Sequence, residues 1–194
     1  AQNTTNGKVF VFIRKGTAGT EQSAWEYQAT LQPPAPTSHF GVAVGISGDT
    51  AIVGDDVGSF ELDATFGKGA AYVFQRSGTA WTLQKRIQPS DSHGGDSFGQ
   101  SVAISGETVV VGAPTHGLAV ATLNQGKAYV FVGNGAWSQQ KELEPDDGAA
   151  GDQFGTSVAI NGDAAIVGAP YHDLPPNQDQ GQAYVFTREG GNWS

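Results

Sequence analysis

Short apolar runs alternate with glycine-centred turns along the whole chain. Val102-Ala103-Ile104 and Val109-Val110-Val111 are joined by Ser105-Gly106. Val158-Ala159-Ile160 and Ala165-Ile166-Val167 are joined by Asn161-Gly162, and a looser copy surrounds Ser47-Gly48. Glycine and asparagine accept the positive φ of tight two-residue turns, so each copy predicts a strand–turn–strand unit. A further strand opens at Gly7-Lys8-Val9-Phe10-Val11-Phe12 and recurs as Gly69-Ala70-Ala71-Tyr72-Val73-Phe74. It returns at Gly126–Phe131 and Gly181–Phe186. Its large and small apolar residues alternate, so both faces are apolar, which suits a sheet packed between two others. No run with apolar residues at i, i+3, i+4 and i+7 is long enough for a helix.

A tryptophan follows each such strand, and Trp25, Trp81, Trp137 and Trp193 recur at a constant interval of 56 residues. Leu31, Ile87 and Leu143 lie six positions after the first three, which a period of two places on the tryptophan's face. Pro33, Pro89 and Pro145 follow. Lacking an N–H for the ladder, they are expected where the strand stops. One repeat therefore contains four strands, and kelch-type propeller blades of about 50 residues are the nearest comparison. The reading is all-β: a β-propeller of four-stranded antiparallel blades. It divides into an outer half-blade at 7–32, blades at 38–88 and 96–144, and an incomplete blade at 152–194. The small Ser101, Ala103, Ser157 and Ala159 suit the strand after Phe-Gly to the crowded axis. A parallel β-helix is the alternative, but its coils are shorter and lack antiparallel hairpins.

The hairpin units begin with Phe40-Gly41, Phe98-Gly99 and Phe154-Gly155, and a second glycine lies 14 residues after each phenylalanine. Two copies close on Gly112-Ala113-Pro114 and Gly168-Ala169-Pro170, whereas the first has Gly54-Asp55-Asp56. This pairing resembles the FG-GAP repeat of integrin α-chain propellers and bacterial surface proteins. The resemblance covers nearly the whole chain. It implies a propeller, an extracellular or cell-surface location, and an adhesion role.

Glycine is 28 of 194 residues, about twice the usual ~7% share, which favours short strands and turns over helices. The net charge of −9 excludes a nucleic-acid groove, since no basic stripe exists to neutralise phosphates. No apolar stretch approaches the ~18 residues of a spanning helix. The absence of cysteine excludes disulfides and thiolate-bound metals. Without a methionine the chain reads as processed, excised or partial. Three and a half blades fall short of the ~4–8 that close a ring, so either more chain or association of copies through open edges is expected.

In antiparallel blades the connections alternate between faces. The short 1–2 and 3–4 turns share one face, with the first 3–4 turn lengthened between Arg14 and Ala24, and the long loops share the other. Binding residues tend to lie on loops held by a rigid scaffold, so the long-loop face is the candidate, through Asp55, Asp56, His116, His172 and Asp173. Their bland alternative is a set of surface loop side chains without a role. The resemblance implies a calcium loop between strands 1 and 2 reading Asp-x-Asp-x-Asp-Gly, but the turns here are too short to wrap an ion. The inter-blade loops offer another oxygen set, with Asp91 and Asp96 in one copy and Asp146, Asp147 and Asp152 in the next. Asp96 and Asp152 read equally as turn residues accepting backbone N–H bonds. Calcium is therefore a candidate ion that the sequence does not favour, and no cofactor is required.

No Gly-x-Ser-x-Gly elbow, phosphate loop or His-Glu-x-x-His spacing occurs. The leading reading is a non-enzymatic module binding a protein or glycan. A carbohydrate- or ester-cleaving propeller and a structural spacer are the alternatives. Carboxylates around the axis would favour the enzyme, and exposed aromatics on the long-loop face would favour glycan binding.

Overall fold

The computed structural model describes residues 7–16, 24–37, 39–57, 67–117, 123–133 and 136–194. Its strands are β1 (Val9–Lys15), β2 (Ala24–Leu31), β3 (Val44–Ser47), β4 (Thr50–Asp55), β5 (Ala70–Ser77), β6 (Ala80–Ile87) and β7 (Ser101–Ser105). They continue with β8 (Thr108–Ala113), β9 (Lys127–Val132), β10 (Ser138–Leu143), β11 (Ser157–Asn161), β12 (Ala164–Ala169), β13 (Gln182–Glu189) and β14 (Asn192–Trp193). β1 and β2 form the half-blade. β3 to β6, β7 to β10 and β11 to β14 form three four-stranded antiparallel sheets, blades 1 to 3. The expected lengthening of the β1–β2 connection falls partly on 17–23, outside the described residues.

The strands after Phe-Gly are innermost, as their small residues predict: β3 lies against β7 and β7 against β11, while the fourth strands splay apart. Gly48, Gly106 and Gly162 take φ near +57°, +56° and +59° in the β3–β4, β7–β8 and β11–β12 turns. The turn residues are Gly48-Asp49 rather than Ser47-Gly48, because Ser47 still pairs with Thr50. That displacement gives the serine a second task. Ser47 Oγ accepts from Gly106 N at 3.0 Å and Ser105 Oγ from Gly162 N at 3.0 Å, stitching each turn to the next blade.

Successive residues of the middle strands enter different cores. On β8, Val109 and Val111 face blade 1, whereas Val110 faces blade 3. On β9, Tyr129 and Phe131 turn back to blade 1 while Ala128 and Val130 turn forward. Large faces thus meet small ones across each gap, as the alternation of aromatic with Ala and Val predicts. Phe98 seals one gap edge-on against Tyr129 and Phe131, at centroid distances of 5.7 and 6.0 Å.

The two glycines of the motif meet between blades. A Cβ built on Gly54 would overlap the Gly99 carbonyl oxygen, and one on Gly112 the Gly155 carbonyl oxygen. Gly99 and Gly155 adopt φ of +97° and +94°, which admits little but glycine. The Phe-Gly of one repeat and the terminal glycine of the preceding repeat form one close backbone contact.

The period of two fails on the fourth strand. Trp81 packs in the core before blade 1, yet Ile87 packs in the core after it. Trp137 and Leu143 are divided in the same way. A β-bulge is the cause: Leu83 pairs with Phe74 and Lys85 with Val73, leaving Gln84 unpaired and reversing the faces beyond it. Gln28 and Gln140 are skipped identically. Two of these glutamines hold the next blade's tryptophan, since Trp81 Nε1 donates to Gln28 Oε1 and Trp193 Nε1 to Gln140 Oε1, both at 2.9 Å.

Among the described residues, β1 has no partner on the edge where β5, β9 and β13 pair with β4, β8 and β12. Phe10, Phe12, Trp25 and Tyr27 are each more than half exposed beside it, as is Val185 on β13. A free edge next to apolar faces drives association. The 194-residue chain is therefore expected to self-associate. Light scattering across a concentration series checks this, and a strictly monomeric particle at high concentration contradicts it.

Candidate functional site

The inter-blade loop and the 2–3 loop of each blade meet on the long-loop face. In blade 2, Asp96 closes the inter-blade turn by accepting from the His93 backbone N–H at 2.6 Å. Its backbone carbonyl accepts from Thr115 N at 3.3 Å, which draws in the loop after β8. That brings His116 Nδ1 to 2.9 Å from Asp96 Oδ2. Asp96 is 2% exposed. A carboxylate only accepts, so Nδ1 carries the proton and a neutral His116 has its lone pair on Nε2. Nε2 lies 3.8 Å from Asp91 Oδ2, the oxygen that accepts from the Tyr129 hydroxyl at 3.1 Å and from Lys127 Nζ at 3.2 Å. Lys127 also reaches Glu142 and Glu144.

Blade 3 repeats the construction. Asp152 Oδ2 accepts from Ala149 N at 2.8 Å and lies 2.8 Å from His172 Nδ1. His172 Nε2 is 3.7 Å from Asp147, whose Oδ1 accepts from the Tyr184 hydroxyl at 2.7 Å. The tyrosine rings stand edge-on to the imidazoles, at 86° in blade 3 and 81° in blade 2. Gln182 takes the place of Lys127, so the blade 3 cluster lacks the ammonium.

These contacts set the electrostatics. Burial pushes the Asp91 carboxyl up, but the Lys127 hydrogen bond and charge, with the Tyr129 hydroxyl, outweigh it and hold the group below 3.8. Burial, then the Asp91 charge and hydrogen bond, hold the Tyr129 hydroxyl far above the phenol range. Burial and Asp147 act likewise on Tyr184. Lys127 is drawn down by burial, yet Glu144, Glu142 and Asp91 together keep it well above the usual lysine value.

Blade 1 departs from this plan. Asp55, expected on a ligand-facing loop, is completely buried and accepts from Thr37 Oγ1 at 2.8 Å. It stands on β4 where the other copies have alanine, so it points between blades rather than outward. Asp56 is half-buried with His39 Nδ1 at 2.8 Å. His172 is 5% exposed, which corrects the reading of a free surface histidine. Asp173 and Asp146 are exposed, and Asp173 Oδ1 accepts from Asp179 N at 2.8 Å. Asp96 and Asp152 do accept backbone N–H bonds, as their turn reading has it. They also bind the imidazoles, a role the sequence reading missed. The signal was present, since each histidine follows its aspartate by 20 residues. The alternating strand pattern around Tyr129 and Tyr184 points only to the core.

On the opposite face two of the turn acids, Asp49 and Asp163, are engaged by arginines. Arg76 Nε donates to Asp49 Oδ1 and Arg188 Nε to Asp163 Oδ1, both at 2.7 Å. Two-residue turns holding such pairs leave little to wrap calcium. Melting curves with calcium and with chelator are therefore expected to coincide. A rise of many degrees at micromolar calcium would contradict this, and Asp91 and Asp147 variants would then locate the ion.

No curated protein matches the chain. The FG-GAP repeat model matches residues 25–74, 81–131 and 137–186, which together are most of the sequence. Each match begins at one of the recurring tryptophans and ends in strand three of the next blade. By these three consecutive matches and the blades they form, the chain belongs to the FG-GAP repeat family.

Proposed function

We propose that the chain is a non-enzymatic propeller module of an extracellular or cell-surface protein, binding a protein or glycan through its long-loop face. The observation that carries this reading is the asymmetry of the two faces. One face carries two-residue turns between strands 1 and 2, bonded to the next blade through Ser47 and Ser105 and held by Arg76 and Arg188. The other repeats an Asp–His–Asp–Tyr cluster in adjacent blades and joins its loops from blade to blade, with Gly151 N on Leu123 O at 3.0 Å and Gln153 N on Asn124 O at 3.0 Å. Leu123, Tyr171 and Leu174 are exposed on these loops, giving apolar contact area beside the polar clusters. The inner strands β3, β7 and β11 carry no Asp, Glu or His, so they bring no carboxylate pair to the axis for glycoside cleavage.

An array of glycans and surface proteins tests the reading, with turnover assayed on every hit. The expected result is a ligand whose binding falls in Tyr171→Ala and Asp147→Ala but not in Glu107→Gln, a change on the turn face. Turnover of a bound glycan or ester would replace this reading by the enzymatic one. Binding that only the turn-face change weakens would overturn the choice of face.

A further inference from the structure

We propose that blade 2 binds one divalent transition-metal ion, of the zinc class, through His93, Asp96 and His116. The proposal rests on the geometry of blade 2 and stands apart from the identity of any protein or glycan ligand.

Each of these three residues can place one ligand atom within 4.8 Å of the other two. The rings of His93 and His116 have centroids 6.3 Å apart and are tilted by 49°. Zinc bonds to nitrogen and oxygen run about 2.0–2.2 Å, so closing this triangle on one ion needs only small movements of the side chains. His93 is exposed and can supply most of that movement. The other two members are already set. Asp96 is pinned by the turn it closes, and its Oδ2 already faces His116 Nδ1 at 2.9 Å, so an ion held by both atoms takes the place of the Nδ1 proton. With Nδ1 on the ion the ring's remaining proton is on Nε2, towards Asp91, and a carboxylate behind a metal-binding histidine orients the ring.

A second observation points to a cation. Asp91 Oδ1 is buried and without a hydrogen-bond partner, although Oδ2 of the same carboxylate is engaged by Tyr129 and Lys127. It belongs to the carboxylate 3.8 Å from His116 Nε2, so part of the negative charge beside the site has no hydrogen-bond donor. Asp91, Asp96, Glu142 and Glu144 outnumber Lys127, so the surroundings remain negative with the ammonium in place. Two imidazoles with a carboxylate select zinc, nickel, cobalt or copper over calcium, which prefers an all-oxygen shell.

Blade 3 is the internal comparison. It keeps the aspartate, the histidine, the second aspartate and the tyrosine, but has Ala149 where blade 2 has His93. The shared framework therefore serves the fold in both blades, and the added imidazole is what converts one copy into an ion site.

The test uses the chelator-treated 194-residue chain, titrated with zinc chloride by calorimetry, with calcium chloride as a separate arm. The expected result is about one zinc per chain and no calcium uptake at that site. His93→Ala should lower zinc affinity at least about tenfold while leaving the metal-free melting temperature unchanged, because the side chain is exposed. Ala149→His should raise the stoichiometry to about two. A wild-type chain that takes up no zinc at micromolar concentration, or zinc binding that His93→Ala leaves unchanged, overturns the proposal.

Discussion

Replacing Gly112 by alanine is expected to cost more than about 3 kcal/mol of stability, or to prevent folding altogether. The local backbone is not the reason, since Gly112 does not have a positive φ and a strand would accept alanine there. The added methyl would overlap the Gly155 carbonyl oxygen and the Ser101 hydroxyl. That hydroxyl already donates to the same carbonyl at 2.7 Å, so the contact is closed on both sides. Neither backbone can withdraw without separating blade 2 from blade 3. Gly168 is the matched control. It holds the same place in blade 3, but an added Cβ there meets only Ser157, chiefly its rotatable hydroxyl. Gly168→Ala should therefore change stability by less than about 1 kcal/mol. Equal losses in urea denaturation of the two variants would show that the inter-blade contact is not what demands glycine.

Trp137→Ala is expected to cost about 3–5 kcal/mol, the range for truncating a buried aromatic. Trp137 is 6% exposed and packs with Phe131, Ile87 and Val73 between blades 1 and 2. Trp25 holds the same position in the repeat but is 69% exposed. At concentrations where the chain is monomeric, Trp25→Ala should consequently fall within about 0.5 kcal/mol of the parent. The comparison separates the residue type from its surroundings, since only the preceding blade differs. A loss below about 1 kcal/mol for Trp137→Ala, measured by thermal or denaturant unfolding, would contradict its place in the core.

Much of the site was legible as residue types but not as contacts. Asp96, Asp152, His116 and His172 stood out because loop acids and histidines recur at one period. Their pairing was not visible, because Asp96 and His116 lie on different loops. Only the β8–β9 connection folding back over the inter-blade turn brings them within 2.9 Å. Asp55 is the reverse case. It reads as a loop residue because it replaces the alanine of Gly-Ala-Pro, yet β4 extends through it and buries it against Thr37.

By itself the sequence determined the four-stranded repeat, the order of strands and the place of the Phe-Gly strand at the axis. These follow from local chemistry: glycine turns, alternating apolar faces, and proline just beyond each fourth strand. The tertiary structure alone decided which face each fourth-strand side chain takes. The bulges at Gln28, Gln84 and Gln140 reverse the alternation that a strand would otherwise keep. A glutamine in a polar, exposed strand has no local reason to bulge. At two of the three bulges the glutamine meets the neighbouring blade's tryptophan, Gln28 accepting from Trp81 and Gln140 from Trp193, whereas the Gln84 amide donates to Thr82 Oγ1. The same holds for the motif's glycines, which look like separate turn residues in the chain. They are required together because two backbones, some 40 residues apart and on different blades, approach too closely for a side chain to stand between them.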